Sequence, residues 1–505
     1  MNIVKTARYL VPLLASTAAA AEPVIRDAET RAWWATTAAL SSDAMEGRDT
    51  GTAGYARAAA LVAARFKAAG LQPAGDSRSY FQTVPLHEVR VETTGTRFIV
   101  ATPGGDVPLR FLYDISVRAT EGLPATLDAP LSFRGYCSRA EMGSDMRGKI
   151  AVCFGGRRRG VPSSSERVAA ALAAGAVGLI AVDDPGFTIE PARWPEAYAR
   201  TVTFPGEPPS AAFAVMRLSA ASLSKVLAAS GHDAAALLAD GSASRPLAAF
   251  DLPSQLHATF HTSTSNYASD NVLGMLPGTD PKLRNEVVVL SAHLDGYGFG
   301  EPVNGDGLYN GAFDDAAYVA TVIRLAEQRH GRGFRRSVLF AAFTGEEKGL
   351  LGATWFTQHP TRPRDTLAAD INLDQLRPLF PLKILTVHAL TQTSLGATAT
   401  AVAAGMGIAT QADPEPERNL NQRADHWPFL KIGVPATGFV FGYTLGTDAE
   451  RRYREWYQIR YHRPQDDMTQ PIDFVAARDF NRFLYRFVAV VADADDRPAM
   501  IGAQP

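Results

Sequence analysis

The second half of the chain alternates short apolar runs with longer segments of helical periodicity. The apolar runs predict buried strands at 287–290, 337–343, 369–373 and 382–387. The periodic segments predict helices at 316–328, 349–358, 395–404 and 474–491. This alternation is typical of parallel strands that are covered by helices. We therefore predict an α/β domain with a mostly parallel central sheet and helices on both faces.

Three upstream regions have other patterns. Residues 28–75 are largely helical in periodicity, and residues 81–100 alternate like two paired strands with a turn near Gly95. Between about 113 and 250, an Ala-rich helix at 167–174 separates two short apolar strands, at 148–154 and 177–182. We interpret this last unit as a smaller, β-rich α+β module that is inserted into the main domain.

The N-terminus has the pattern of an export signal. Lys5 and Arg8 precede a short apolar stretch, which leads to a plausible cleavage site at Ala19-x-Ala21. We therefore expect a periplasmic or secreted protein that is not inserted in a membrane after signal cleavage. The expected divisions are 1–21 for the signal peptide, 22–112 and 256–495 for the main domain, 113–255 for the inserted module and 496–505 for a C-terminal tail.

Composition narrows the classes of function. A formal net charge of -2 over 505 residues argues against a nucleic-acid-binding surface, so we expect no nucleic-acid partner. Cys137 and Cys153 could form a disulfide in an exported protein or remain two buried thiols. The Arg157–Arg159 run is more typical of a solvated loop than of a binding site.

Acidic and imidazole side chains follow the predicted strands of the second half. Those at strand ends are His293, Asp295, Glu346, Glu347 and Asp374. Asp314, Asp315 and His462 lie in loops. If the strands are parallel, their carboxyl ends open onto one edge, where massed carboxylates repel each other unless a cation compensates. Imidazole together with carboxylate suits zinc, so the pattern predicts a zinc site.

Five ordered motifs resemble the dinuclear zinc aminopeptidases of peptidase family M28, which also includes glutamate carboxypeptidases. They are SAHLDG (291–296), DGLYNGAFDDAA (306–317), FTGEEKGLLG (343–352), INLDQ (371–375) and YHRPQDD (461–467). Residues 40–76 resemble the N-terminal segment of that family. The region around 113–250 resembles the protease-associated (PA) domain often inserted in its larger members.

The resemblance implies two zinc ions per chain and peptide substrates. His293 and Asp374 would bind one zinc and Glu347 and His462 the other, while Asp314 would bridge them.

Other roles also follow from the resemblance alone. Glu346 matches the general base, and Asp295 would fix the His293 ring. The Asp314–Asp315 peptide bond would be cis, with Asp315 beside the ligands. Tyr461 would donate to the oxyanion or would simply pack beside the site.

The direction of cleavage stays open at this stage. Removal of N-terminal residues is the leading interpretation. A carboxypeptidase or dipeptidase would need a cation for the substrate carboxylate, for which the candidates are Arg377, Arg423, Arg460 and Arg463. A non-catalytic binding protein on the same fold is a third hypothesis. We expect His388 to be a core residue, and His426 to lie near the pocket without binding metal.

Overall fold

The computed structural model describes residues 25–156, 160–186, 199–206, 212–374 and 376–501. Its strands are β1 (Gln72–Pro73), β2 (Phe81–Val91), β3 (Arg97–Thr102), β4 (Gly105–Leu109), β5 (Ile115–Val117), β6 (Thr126–Arg134), β7 (Ile150–Phe154), β8 (Gly178–Val182), β9 (Arg200–Thr203), β10 (Ala214–Leu218), β11 (Ala249–Thr259), β12 (Thr262–Leu276), β13 (Val287–His293), β14 (Gly298–Val303), β15 (Asp306–Tyr309), β16 (Ser337–Phe343), β17 (Leu367–Leu373), β18 (Ile384–Val387), β19 (Ala409–Gln411), β20 (Ala436–Thr437) and β21 (Phe439–Phe441). Its α-helices are α1 (Ala28–Leu40), α2 (Ala53–Ala68), α3 (Ser164–Ala173), α4 (Leu223–Val226), α5 (Ala234–Ser242), α6 (Ala317–Arg329), α7 (Leu351–Gln358), α8 (Ser394–Ala404), α9 (His426–Lys431), α10 (Asp448–Ile459) and α11 (Phe474–Asp493).

The main sheet has the strand order β20-β17-β13-β16-β12-β2-β9, with β1 beside β12. Its first four strands are parallel to one another. The remaining pairings, from β16–β12 onward, are antiparallel. The α/β class is confirmed, but the sheet is mixed rather than mostly parallel. The parallel half consists of the continuous apolar runs, whereas the first part of β12 is polar and exposed.

Helices cover both faces of the parallel half, as predicted. On β13, Val288 and Leu290 belong to the core formed with α1, α2, α6 and α11. Val287 and Val289 point to the other face, into a core shared with Phe356 of α7 and residues of α9. Because successive side chains alternate between faces, a strand buried on both sides needs an uninterrupted apolar run.

The expected hairpin within residues 81–100 is wrong in its pairing. The chain does form strands there, but β2 pairs with β12 and β9 of the main sheet. The next strand, β3, belongs to a second sheet, where it pairs with β4 and β11. A two-residue turn, Pro103 and Gly104, joins β3 directly to β4, so β3 pairs with β4 instead of β2.

The second sheet has the order β4-β3-β11-β6-β7-β8-β10-β5 and carries the predicted strand-helix-strand unit. The observed unit is β7-α3-β8, and β7 and β8 are parallel neighbours. Helix α3 begins at Ser164 because Ser163 and Glu166 form a reciprocal capping box at its N-terminus. The inserted module is therefore built mainly on a sheet and core of its own, which also include β3 and β4, whereas its strand β9 pairs with β2 of the main sheet.

Parts of the sequence analysis lie outside the described residues, namely the signal peptide at 1–21 and the Arg157–Arg159 run. Within the described residues, none of the helices combines the length and apolar character needed to span a membrane. Cys137 and Cys153, whose pairing the sequence left open, form a disulfide with a Cα–Cα distance of 5.6 Å.

We expect the double variant Cys137→Ser, Cys153→Ser to be less stable by about 3 kcal/mol, since the bridge closes a loop with a sequence separation of 16. The measurement is the urea unfolding midpoint of the inserted module, with and without reductant. Reductant should lower the midpoint of the wild type and leave that of the variant unchanged. An equal midpoint for the two oxidised proteins would contradict the expectation.

Candidate metal centre

The ends of three neighbouring parallel strands form the floor of the site. β13 ends at His293, Asp374 follows directly after β17, and Glu346 and Glu347 lie in the loop after β16. β13 lies between the other two strands, so their carboxyl ends meet at one edge. This is the edge where ligands bind in open α/β sheets.

The predicted residues form two donor groups that share Asp314. His293, Asp314 and Asp374 each present one donor atom within 4.8 Å of the others. Asp314, Glu347 and His462 do the same. Asp314 reaches both groups because its two oxygens diverge, with Oδ1 3.3 Å from His293 Nε2 and Oδ2 3.5 Å from His462 Nε2.

The other predicted ligands also lie close to one another. His462 Nε2 is 3.4 Å from Glu347 Oε2, and His293 Nε2 is 4.0 Å from an oxygen of Asp374. Glu346 Oε2 lies 4.0 Å from His293 Nε2, and Glu346 forms a third group with His293 and Glu347. The Asp314–Asp315 peptide bond is cis, as the resemblance implied.

The donor set fits a divalent cation. Oxygens of Asp314 and Glu347 are buried and have no hydrogen-bond partner among the described residues. Burial raises the pKa of Glu347 to about 7 and that of Glu346 well above its usual value. Several carboxylates therefore cannot stay ionised together here without added positive charge. A cation bound between the imidazole and carboxylate groups would supply it.

One cation is already built into the protein. Arg377 is fully buried, and its Nη2 lies 3.3 Å from Asp314 Oδ2. Burial alone would raise the pKa of Asp314, but Arg377 and the two histidines outweigh this and hold it well below its usual value. Arg377 also lies over the Trp456 ring, 4.4 Å from the ring centroid. It is thus committed to the interior and is not available to a substrate carboxylate.

Asp295 and Asp315 hold the ligand-bearing segments in place. The Asp295 carboxylate is 3.7 Å from His293 Nδ1 and accepts hydrogen bonds from the backbone N–H groups of Glu346 and Glu347, at 3.1 and 3.3 Å. Asp315 accepts a hydrogen bond from the His293 backbone N–H at 3.2 Å. Asp295 therefore ties the end of β13 to the loop that follows β16.

Two buried residues that the sequence analysis did not single out also support the site. Arg48 donates to four backbone carbonyls, those of Leu40, Leu294, Asn310 and Gly311. Asp466 accepts from the backbone N–H groups of Phe313 and Asp314, at 2.9 and 3.0 Å. Both residues lie in segments that carry the family resemblance, and the resemblance was the only feature of the sequence that could have indicated their role. Their hydrogen-bond partners are backbone groups, which every residue has, so the pattern of side chains does not predict these contacts.

The other residues that the sequence analysis considered lie outside the donor groups. Tyr461 is buried, its ring stacks on His462 at a centroid distance of 3.6 Å, and its hydroxyl accepts a hydrogen bond from Arg423 at 3.1 Å. Arg460 donates to the backbone carbonyl of Gln465.

His388, as expected, is a core residue, and burial lowers its pKa to about 4. It stacks on the equally buried His426 at 5.2 Å, and neither histidine is in a donor group.

Comparison with known proteins gives two family matches. Residues 271–488 match the model of peptidase family M28, and residues 119–209 match that of the PA domain. A probable leucine aminopeptidase 2 of Aspergillus oryzae is 24% identical over 216 residues, 40% of this chain and 41% of that protein. A probable zinc metalloprotease of Pyrenophora tritici-repentis is 28% identical over 238 residues, 40% of this chain and 52% of that protein. The matches thus span about half or less of these relatives.

Solved structures resemble nearly the whole chain. An aminopeptidase from Aneurinibacillus sp. strain AM-1 superimposes with a TM-score of 0.61 at 17% identity, covering 94% of this chain and 96% of that one. BSAP, a zinc aminopeptidase from Bacillus subtilis, gives 0.57 at 19% identity, covering 92% and 96%. At these identities the likeness establishes the fold. The two family matches show a peptidase family M28 domain at residues 271–488 and a PA domain at residues 119–209.

Proposed function

We propose that this protein is a zinc-dependent exopeptidase that binds two zinc ions and removes N-terminal residues from peptides. The observation that carries the proposal is the pair of donor groups joined by Asp314. His293 and Asp374 would hold one zinc, Glu347 and His462 the other, and Asp314 would bridge them. Zinc so held supplies Lewis-acid activation of water and stabilises negative charge that develops on the amide oxygen.

Glu346 is the general base in this proposal. It stands outside the two groups that share Asp314, yet its carboxylate faces His293 from the same edge of the sheet. Burial raises its pKa well above the usual value, which makes the carboxylate a better proton acceptor near neutral pH. Backbone hydrogen bonding to Asp295 fixes the position of Glu346 in the loop.

Tyr461 is proposed to donate its hydroxyl proton in a hydrogen bond to the developing oxyanion. Arg423 donates to the Tyr461 oxygen, so the phenolic proton is left to point elsewhere. Burial raises the pKa of Tyr461 well above its usual value, which keeps the phenol protonated as a donor.

Cleavage from the N-terminus is favoured because the similar solved structures are of an aminopeptidase and a zinc aminopeptidase. Arg377 is fully buried beside Asp314, so it is excluded as the cation of a carboxypeptidase, whereas Arg460 is half-buried and donates to the backbone carbonyl of Gln465. Arg423 and Arg463 line an open cleft, so carboxypeptidase action remains the alternative.

Peptides blocked at the N-terminus and peptides amidated at the C-terminus distinguish aminopeptidase from carboxypeptidase action, because an aminopeptidase cleaves only the amidated set. A non-catalytic role is disfavoured because every donor position and the base are present.

Export to the periplasm or the medium is also part of the proposal. The Cys137–Cys153 disulfide supports it, because disulfides persist mainly in oxidising compartments.

Removal of metal should abolish activity. Dialysis against a strong chelator is expected to stop release of leucine from leucine peptides, and zinc should restore it, since Glu346 and Tyr461 alone cannot activate water sufficiently. Elemental analysis of the purified protein should find about two zinc ions per chain. Full activity after chelation, with metal absent by that analysis, would reject the proposal.

Glu346→Gln should retain zinc and lose turnover by about 10²–10⁴-fold, because it removes the base without removing a ligand of either Asp314-linked group. The measurements are kcat on a leucine peptide and zinc content. The matched control is Glu455→Gln, an exposed glutamate on α10, which should leave both unchanged. An active Glu346→Gln enzyme would remove Glu346 from this role.

Asp295→Asn should weaken zinc binding about 10–100-fold, since an amide has one acceptor oxygen for the Glu346 and Glu347 backbone N–H groups and removes the negative charge 3.7 Å from His293 Nδ1. Competition with a chromophoric chelator measures this affinity. Asp306→Asn, at the exposed first residue of β15, is the control. Equal affinity in all three proteins would show that Asp295 does not orient the site.

A further inference from the structure

Strand β9 of the inserted module lies in the main sheet and packs close to the acidic loop, residues 344–350, that follows β16. Its apolar side chains face α7, the helix that begins where this loop ends. Val202 of β9 belongs to one buried cluster with Leu351, the first residue of α7. Just after β9, the Phe204 ring lies 5.3 Å from the ring of Trp355 on α7. The inserted module therefore supports the acidic loop from its downstream side.

A second set of contacts from β9 is ionic and reaches the acidic loop itself. The Arg200 side chain is 7% exposed, and its guanidinium pairs with Asp49 of the main domain and, at 3.3 Å, with Glu88 of β2. The other oxygen of Asp49, Oδ1, lies 3.4 Å from Nζ of Lys348, whose side chain is 4% exposed. Lys348 directly follows Glu347 in the acidic loop. Asp49 thus links a cation of the inserted module to a cation of this loop.

Lys348 lies beside both proposed ligands of one zinc ion. It is bonded to Glu347 through the chain, and its ammonium lies 4.8 Å from the centroid of the Tyr297 ring. The Tyr297 ring in turn packs on the ring of His462, with a centroid distance of 4.5 Å. Because a buried charge is costly to leave without a counter-ion, Asp49 restrains the position of Lys348. That restraint passes to the Glu347 backbone and to the ring that supports His462.

We infer that Arg200 of the inserted module is a positioning residue for the metal centre. Its effect passes through Asp49 and Lys348. It falls on the zinc that the proposed site holds with Glu347 and His462. The inserted module thereby raises the affinity of the main domain for one of its two zinc ions. This inference rests on the proposed two-zinc peptidase function.

Zinc titration of the metal-free protein, in competition with a chromophoric chelator, tests the inference. The wild type should bind two zinc ions in two steps. Arg200→Gln should weaken one step about 10–100-fold, as loss of a residue that orients metal ligands does, and leave the other step unchanged. The direction of the change is informative, because removal of a positive charge near a cation site would by itself tighten the binding of Zn²⁺. Weaker binding therefore reports displaced ligands.

Arg90→Gln is the matched control. Arg90 lies on β2 and pairs with Glu88 at 3.1 Å, and within the described part of the chain it has no ion pair with Asp49. Both variants remove one positive charge from the same network, so only Arg200→Gln should weaken zinc binding. An equal loss in the two variants, or unchanged affinity in Arg200→Gln, would overturn the inference.

Lys348→Met tests the same path from its other end and covers the case in which Arg200→Gln does not fold. It leaves Asp49 paired with Arg200, so the fold should persist, as circular dichroism can check. It should weaken the same zinc step by a similar factor. The double variant should bind zinc no more weakly than either single variant, because both changes break one path. Additive losses, or unchanged affinity in Lys348→Met, would contradict the proposed path.

The titration needs no substrate, so it separates failure of the inference from failure of the proposed function. A wild type that binds fewer than two zinc ions overturns both. Two bound zinc ions without leucine release reject the peptidase activity, while the titrations of the variants still decide the role of Arg200. Leucine release by a two-zinc wild type, together with an unchanged titration of Arg200→Gln, overturns the inference alone.

Discussion

Repulsion among buried carboxylates is the constraint on which the rest of this structure depends. Asp295, Asp314, Asp315, Glu346 and Asp374 are all withdrawn from solvent at one edge of the main sheet. Such a group of charges is tolerable only beside cations. Arg377 provides one within the fold, and the paired donor groups are suited to hold further positive charge. The backbone supports around them, from Arg48, Asp295 and Asp466, keep the carboxylates at positions that a cation can bridge.

The sequence predicted the strand-end part of this arrangement well, for a physical reason. Apolar runs identify strands that are buried on both faces, and parallel neighbours must present their carboxyl ends together. His293, Glu347 and Asp374 could therefore be assigned to one edge from periodicity. Asp314 and His462 lie in loops, and only the family resemblance connected them with that edge.

Other features could not be predicted, because they depend on partners distant in sequence. The polar first part of β12 gave no sign that it would pair with β2, which moved β3 to the second sheet. Arg48 is fully buried, yet an isolated arginine is normally a surface residue, and its four acceptors are carbonyls from separate segments. The cleft between the inserted module and the main domain is lined by residues from both, so no local sequence pattern predicts it.

The long pairing of β2 with β12 determines how the two bodies can move. It runs from Phe81–Val272 to Val91–Thr262, and its far end packs into the core of the inserted module through Val89 and Val91. The module is thus joined to the main domain by a hydrogen-bonded ribbon instead of two independent single-chain linkers. A wide swing would have to bend or twist this ribbon against its ladder of hydrogen bonds. Because this ribbon joins the two bodies on either side of the cleft, we expect the width of the cleft to change by gradual flexing of the ribbon rather than by free rotation about a hinge.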